Sequence, residues 1–294
     1  MIDNMQSLEN TKVRKQNNKH NTIVKCSDVN FGEGYCVIIA GPCAIENTEM
    51  ALLTAKEIEE QGAVVFRSSL FKPRTSPYSF QGYGEEGVEI LKAIKAETNL
   101  LLESEVLSKK HLEKLYDHID IIRVGSRNMD NYELLKEVGT IDKPVILKRG
   151  MSSTLEEFLL AAEYILSYGN ERVILCERGI RTFENYTRNT LDVLAIPALK
   201  ELTHLPVIVD PSHSSGRSSL VRPASKAAIA AGADGLIVEV HPAPESALSD
   251  AEQSLNFEEF RLLMKDVSDL AELFKKKLIK HTSNIKNFYQ ASSK

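Results

Sequence analysis

Residues 144–176 read PVILKRGMSSTLEEFLLAAEYILSYGNERVILC and contain two short apolar runs separated by a helical pattern. The runs PVILK (144–148) and RVILC (172–176) are continuously apolar, which is typical of strands buried on both faces of a parallel sheet. Between them, the stretch from Ser152 to Ser167 begins with Ser and Thr and is followed by a glycine, which predicts a capped helix with a defined stop. The sequence here predicts one strand–helix–strand unit.

The same unit repeats along the chain. Eight apolar runs alternate with helical patterns, and they occupy residues 36–40, 64–66, 100–103, 119–124, 144–148, 172–176, 206–210 and 235–240. Eight is the strand number of a (β/α)₈ TIM barrel, an α/β fold, and we prefer it to a doubly wound open sheet, which is the competing architecture. Further helices are predicted over residues 47–61, 190–202, 224–231 and from Phe257 to about residue 278.

The barrel is predicted to form one catalytic domain with a short extension at each end. Residues 1–21 are polar and rich in Asn and Lys, which predicts a flexible tail. The barrel domain spans 22–278 and includes an N-terminal β-hairpin, since the runs 22–26 and 36–40 flank a glycine-containing turn. Residues 279–294 are predicted to form a basic C-terminal tail.

Composition and charge argue against several classes of protein. The 294-residue chain has a formal net charge of −5 and no long apolar run, so nothing in it predicts a nucleic-acid or membrane partner. The N-terminus lacks an apolar signal core, and the four cysteines form no CxxC pair. We interpret them as reduced thiols, which indicates a cytoplasmic protein.

Six basic residues follow the predicted strands, where the active site of a (β/α)₈ barrel lies. They are Arg67, Lys72, Arg74, Arg127, Lys148 and Arg178. Any one of them alone has an ordinary interpretation as a surface or ion-paired cation. Six at one mouth of an acidic chain instead predict a site for a small anion with phosphate and carboxylate groups, which arginine binds through two hydrogen bonds at once.

A second set of residues at the same strand ends offers ligands for a metal ion. Cys43, His213, Glu239 and Asp250 carry a thiol, an imidazole and two carboxylates. They are distant in sequence and form no local metal-binding motif. From the residues alone, the alternatives remain a packed cysteine, a hydrogen-bonded loop histidine and ion-paired carboxylates.

Longer motifs carry a resemblance to a known family. They are IIAGPCAIE (38–46), FRSSLFKPRTSPYSFQGYGEEG (66–87), VGSRNMDN (124–131), ILKRGMSST (146–154), VILCERGIRTFENYTRNTLD (173–192), VIVDPSHSSGR (207–217) and AAGADGLIVEVHPAPESALSDAEQSL (230–255). On these motifs the chain resembles the 3-deoxy-D-arabino-heptulosonate 7-phosphate (DAHP) synthases. It is most similar to the shorter barrel type, which is related to the 3-deoxy-D-manno-octulosonate 8-phosphate synthases.

The resemblance implies a condensation of phosphoenolpyruvate with erythrose 4-phosphate, the first step of the shikimate pathway. The four candidate ligands fall on the family's ligands for one divalent metal ion, and their mixed donor types admit Mn²⁺, Fe²⁺, Co²⁺ or Zn²⁺. The family also implies a homo-oligomer, either a dimer or a tetramer.

The resemblance implies roles for the basic residues as well. The positions that hold the phosphate of phosphoenolpyruvate correspond to Arg127, Lys148 and Arg178. Those near its carboxylate correspond to Arg67, Lys72 and Lys148. The segment that receives erythrose 4-phosphate corresponds to Lys72–Thr75, with Arg74 and Thr75 as binding residues. We expect Lys72 and Glu177 to transfer protons during the reaction.

The sequence KPRTS (72–76) bears on the choice of aldose. The octulosonate synthases, which use arabinose 5-phosphate, usually carry Lys-Ala-Asn-Arg-Ser at this point, so KPRTS favours the four-carbon sugar. An octulosonate 8-phosphate synthase is the main alternative function. A barrel that binds a sugar phosphate without turnover, or a barrel with a structural role only, would not need both residue sets.

Overall fold

The chain enters the barrel through a short antiparallel hairpin. In the computed structural model, the described residues are 6–16, 20–72, 78 and 80–281. The hairpin strands are β1 (Val24–Cys26) and β2 (Val29–Phe31), and the turn between them includes Ser27 with a φ of 53°. The predicted hairpin is therefore present, but its second strand is 29–31. The prediction of 36–40 as the hairpin partner was wrong, whereas its prediction as a barrel strand is confirmed, because that run pairs with two neighbouring barrel strands.

Eight parallel strands in the described part of the chain then close into the predicted barrel. They are β3 (Tyr35–Gly41), β4 (Val65–Ser68), β5 (Leu101–Glu105), β6 (Ile121–Val124), β7 (Val145–Lys148), β8 (Val173–Glu177), β9 (Val207–Val209) and β10 (Gly235–Glu239). Each pairs with the next, and β10 pairs with β3 in a register that aligns Gly235 with Val37. The closed ring leaves none of these strands with a free edge.

Helices connect the strands on the outside of the barrel. They are α1 (Thr48–Glu60), α2 (Val88–Glu97), α3 (Lys109–Leu115), α4 (Tyr132–Gly139), α5 (Leu155–Ser167), α6 (Ala195–Leu202), α7 (Pro211–Ser215), α8 (Ser218–Ala230) and α9 (Phe257–Leu273). Asn47 caps the N-terminus of α1, since its side chain accepts a hydrogen bond from the Met50 amide. Helix α6 begins later than predicted, because Thr190 forms a β-bridge with Ile180. Among the described residues, no helix combines the length and apolarity needed to cross a membrane.

Both ends of the described chain pack onto the barrel. Within the predicted flexible tail, Leu8 and Val13 are buried in the core. The last predicted helix was too long, because α9 ends at Leu273 and Lys275 takes a φ of 55°. Lys277–Leu278 then forms β11, which pairs in parallel with the start of β3.

The hairpin closes one end of the barrel. Its buried side chains join the apolar residues that the strands point inward, in a cluster that includes Val24, Phe31, Ile39, Ile121, Ile146, Ile174, Ile208 and Ile237. This packed floor lies at the amino-terminal end of the strands. The opposite mouth, at their carboxyl ends, is left for the site.

Candidate active site

The charged residues of the mouth share a strand face with the apolar residues of the floor. Side chains two residues apart in a strand point the same way. Ile146 points inward in the floor cluster, so Lys148, two residues later, also points inward and lies in the mouth. Glu239 follows Ile237 by the same two-residue step. The same step along other strands leads to Arg67, Glu103, Arg123 and Asp210, all of them buried. Period-two alternation thus builds a charged upper layer above an apolar lower one.

Four candidate metal ligands meet in this layer. One ligand atom from each of Cys43, His213, Glu239 and Asp250 lies within 4.8 Å of the others. His213 Nε2 is 3.5 Å from Glu239 Oε1 and 3.8 Å from Asp250 Oδ2. The Cys43 thiol donates to Asp250 Oδ2 at 2.9 Å. Glu239 Oε1 is buried and accepts no hydrogen bond from the described residues, so the donor set fits a divalent cation.

Burial and neighbouring charges set the protonation of these ligands. Burial raises the pKa of the Cys43 thiol to about 12 and lowers the pKa of His213 to about 4. Burial opposes ionisation of Glu239 and Asp250, but His213 and nearby arginines outweigh it and lower the pKa of both carboxyls. At neutral pH the thiol therefore keeps its proton, while the imidazole is neutral and both carboxylates are charged.

Asp210 orients the histidine and was not among the predicted site residues. Its Oδ2 contacts His213 Nδ1 at 2.8 Å, and its Oδ1 accepts from the His213 amide at 2.8 Å. Lys148 Nζ contacts the same Oδ2. A hydrogen bond at Nδ1 fixes the ring and turns Nε2 toward the other three ligands. The sequence signal was available, because Asp210 stands at the end of its strand beside the predicted ligand His213.

Two predicted cations lie directly against the ligand cluster. Arg67 Nη2 is 3.0 Å from Glu239 Oε1, yet none of the guanidinium nitrogens makes a hydrogen bond with the described residues. Lys72 Nζ donates to both the carbonyl oxygen and Sγ of Cys43 at 2.9 Å. The buried, unsatisfied donors of Arg67 indicate a place for an anionic ligand group.

The remaining predicted cations differ in their surroundings. Arg178 is buried and donates only to the carbonyls of Gly179 and His213, with no carboxylate ion pair among the described residues. Burial lowers its pKa, because nothing close by fully compensates its charge. Arg127 is exposed in the short 3₁₀ turn after β6. The predicted residues Arg74 and Thr75 lie outside the described residues.

Glu177, which was predicted to transfer a proton, lies on the outward face of its strand. It shares a strand face with Leu175, which packs in the cluster between the barrel and the helices. Its Oε2 pairs with Arg149 at 2.9 Å, and its Oε1 accepts from the Gly179 amide at 2.6 Å. Both carboxylate oxygens are engaged on the outer side of the barrel. This geometry favours a structural ion pair, and the proton-transfer role of Glu177 stays a prediction.

Glu105 is a further charged residue of the mouth, and it was not among the predicted site residues. Arg123 lies between two carboxylates, with its Nε 2.7 Å from Glu103 Oε1 and its Nη1 3.0 Å from Glu105 Oε2. Burial opposes ionisation of Glu105, but Arg123, Lys72 and Lys148 lower its pKa. Two glutamates spaced two apart at the end of a strand are a detectable signal, because such a pair shares one face.

Known proteins match this chain over nearly all of the barrel. The model of the DAHP synthetase I family matches residues 10–275. The chain belongs to the DAHP synthetase I family. A relative described as phospho-2-dehydro-3-deoxyheptonate aldolase from Thermotoga maritima is 51% identical over 260 residues, which cover 88% of this chain and 77% of that protein.

Solved structures and more distant relatives support the family and the fold. The crystal structure of the T. maritima aldolase matches with a TM-score of 0.89 and 49% identity, over 92% of this chain and 79% of that one. A truncated form of the T. maritima synthase matches with a TM-score of 0.85 and 46% identity, over 91% and 98%. A 2-dehydro-3-deoxyphosphooctonate aldolase from Geobacter sulfurreducens is 32% identical over 83% of this chain and 95% of its own. The predicted family and barrel are confirmed.

Proposed function

We propose that this chain is a 3-deoxy-7-phosphoheptulonate synthase, which condenses phosphoenolpyruvate with erythrose 4-phosphate and water to give DAHP and phosphate. One observation carries the proposal: four potential metal ligands lie within 4.8 Å of one another beside two buried arginines. Arg67 makes no hydrogen bond with the described residues, and Arg178 donates only to backbone carbonyls among them. The higher identity to the heptulosonate relative than to the octulosonate relatives supports the four-carbon aldose.

The basic residues would bind phosphoenolpyruvate at both of its anionic ends. Arg178, Lys148 and Arg127 provide positive charge for the phosphate, and Arg67 and Lys72 lie against the ligand cluster, where the carboxylate would bind. The segment Lys72–Thr75 would bind erythrose 4-phosphate, with Arg74 and Thr75 as the binding residues. Holding two anions side by side requires this density of cations, since the charges would otherwise repel.

In the proposed reaction, carbon 3 of phosphoenolpyruvate attacks the aldehyde carbon, water adds at carbon 2, and phosphate leaves by carbon–oxygen cleavage. A divalent metal bound by Cys43, His213, Glu239 and Asp250 would supply Lewis-acid activation. Lys72, which contacts Cys43 Sγ, would donate a proton to the new alkoxide. Because Glu177 faces outward, we assign the proton of the water to Glu105.

The ligand types of the site admit Mn²⁺, Fe²⁺, Co²⁺ or Zn²⁺ as the resident ion. We further propose a homo-oligomer, a dimer or a tetramer, as in the family the chain resembles. A cytoplasmic location is supported by the four cysteines, each of which is a free, buried thiol.

Metal uptake should release one proton and therefore strengthen with pH. The thiol of Cys43 is protonated without the metal, since burial raises its pKa to about 12, while the other three ligands are already deprotonated. The association constant for Mn²⁺ should rise about tenfold for each pH unit between about pH 6 and pH 9. Titrations at three pH values would measure the slope. Cys43→Asp, whose replacement carboxylate needs no deprotonation, should flatten it, and an equally steep slope in this variant would contradict the assignment.

The choice of aldose should follow the KPRTS segment. We expect kcat/KM with erythrose 4-phosphate to exceed that with arabinose 5-phosphate by at least about 100-fold, because a pocket built for the shorter sugar leaves no room for another carbon. The loss of phosphoenolpyruvate absorbance would be followed with each sugar under identical conditions. Faster turnover with arabinose 5-phosphate would instead assign the chain to the octulosonate synthases.

A further inference from the structure

An arginine and a glutamine outside the ligand set connect its two carboxylates. Arg188 Nη1 donates to Asp250 Oδ1 at 3.1 Å and to Gln253 Oε1 at 2.8 Å. The amide of Gln253 then donates through Nε2 to Glu239 Oε2 at 2.6 Å. These contacts form one continuous path from Asp250 to Glu239. The amide can bridge only in this orientation, with its oxygen toward the arginine and its nitrogen toward the carboxylate.

The bridge occupies one oxygen of each carboxylate and leaves the other for the ligand cluster. Asp250 keeps Oδ2, which accepts from the Cys43 thiol and faces His213 Nε2. Glu239 keeps Oε1, the buried oxygen that accepts no hydrogen bond from the described residues. Each carboxylate is thereby prevented from turning both oxygens inward. The arrangement suits a cation that takes one oxygen from each.

The fold places both members of the bridge by local backbone contacts. The amide of Arg188 donates to the Ser215 carbonyl at 3.1 Å, which fastens the loop after β8 to the end of α7. Gly216 allows this approach, since a Cβ there would lie 2.5 Å from Arg188 Cβ. Gln253 ends the 3₁₀ turn that follows Asp250 and is only 2% exposed. The two bridging residues therefore lie on backbone segments that are directly joined to the metal-ligand segments around His213 and Asp250.

We propose that Arg188 and Gln253 are positioning residues that hold Asp250 and Glu239 at the spacing required to bind the divalent metal. This inference rests on the metal site of the proposed function and goes beyond it. Partners of this kind orient the ligands before the metal arrives, and their loss typically weakens metal affinity about 10- to 100-fold. Because the two residues act through one path, losing either should have nearly the effect of losing both.

The test is a titration of the full-length, metal-stripped chain with Mn²⁺ against a chromophoric chelator. The variants are Arg188→Met, Gln253→Met and the double variant, with Arg188→Lys as the conservative change. We expect each methionine variant to raise the Kd for Mn²⁺ about 10- to 100-fold, the double variant to raise it by little more, and Arg188→Lys to recover part of the loss. Arg217→Met is the matched control, because Arg217 contacts the carbonyl and the ring of Tyr186 and no metal ligand.

The outcomes separate this inference from the function on which it rests. A parent chain that binds no Mn²⁺ would overturn both. A parent that binds Mn²⁺ with variants within about twofold of its Kd would overturn the bridge alone, as would losses that simply add in the double variant. Should Gln253→Met fail to fold, the two Arg188 variants still decide, since that side chain is 36% exposed and its replacement opens no cavity in the core. Thermal melting of the metal-free proteins would show whether each variant is folded.

Discussion

Cys43→Ala should remove metal binding and lower kcat by at least about 1,000-fold. The thiol is one of four ligand atoms, and the three that remain include no other soft donor. The fold should persist, because the change deletes a single sulfur atom from a packed site, and Lys72 keeps its hydrogen bond to the carbonyl of residue 43. Metal content per chain and steady-state kinetics would be measured on the same preparation.

Cys26→Ala provides the matched control for that experiment. Cys26 is also a buried thiol, but it lies in the hairpin floor at the opposite end of the barrel. It should keep the metal content and turnover of the parent. Full activity of Cys43→Ala in metal-stripped protein would contradict the ligand assignment.

Arg178→Gln should raise the KM for phosphoenolpyruvate about 10- to 100-fold, the loss expected when one charged hydrogen-bond donor to an anion is removed. The melting temperature of the free protein should rise or stay unchanged. Arg178 is buried without a carboxylate ion pair among the described residues, so its charge is costly until an anion binds. The variant should therefore melt no lower than the parent and lose the stabilisation that phosphoenolpyruvate confers.

Arg181→Gln is the corresponding control, three residues further along the same loop. Arg181 is exposed, and its backbone amide donates to the Met151 carbonyl, a contact that the substitution leaves in place. Its KM should match that of the parent. A lowered melting temperature of Arg178→Gln together with an unchanged KM would show that Arg178 is structural.

The barrel was predictable because its strands are continuously apolar. Such runs can be recognised even where the exact ends of each strand cannot. The pairing of the hairpin strands was harder to predict, because the sequence has two possible turns within ten residues, one at Ser27 and one at Gly32–Gly34. The glycines after residue 31 are the stronger sequence signal, and Gly32 and Gly34 do take positive φ values. Their turn leads into β3, however, whereas the turn at Ser27 joins the two paired strands, so that 29–31 becomes the partner strand. Strand β11 was not predicted, because the lysines around it are typical of a solvated helix end.

The site was predictable in its residue types but not in their directions. Glu177 and Lys148 both end apolar runs, and only the parity of each strand shows that one faces the helices and the other the mouth. The spacing of Glu103 and Glu105 was a usable signal, but their ion pairs with Arg123 depend on which strands become neighbours. The bridge through Arg188 and Gln253 joins two loops, and no local pattern marks such a contact.

The proposed reaction is a metal-dependent condensation that uses the four-carbon aldose. Its most direct test is the consumption of phosphoenolpyruvate by purified, metal-stripped protein in the presence of erythrose 4-phosphate, before and after addition of Mn²⁺. We predict no turnover before the addition, and afterwards turnover with release of one phosphate per phosphoenolpyruvate consumed. Equal turnover without metal, or none with it, would contradict the claim.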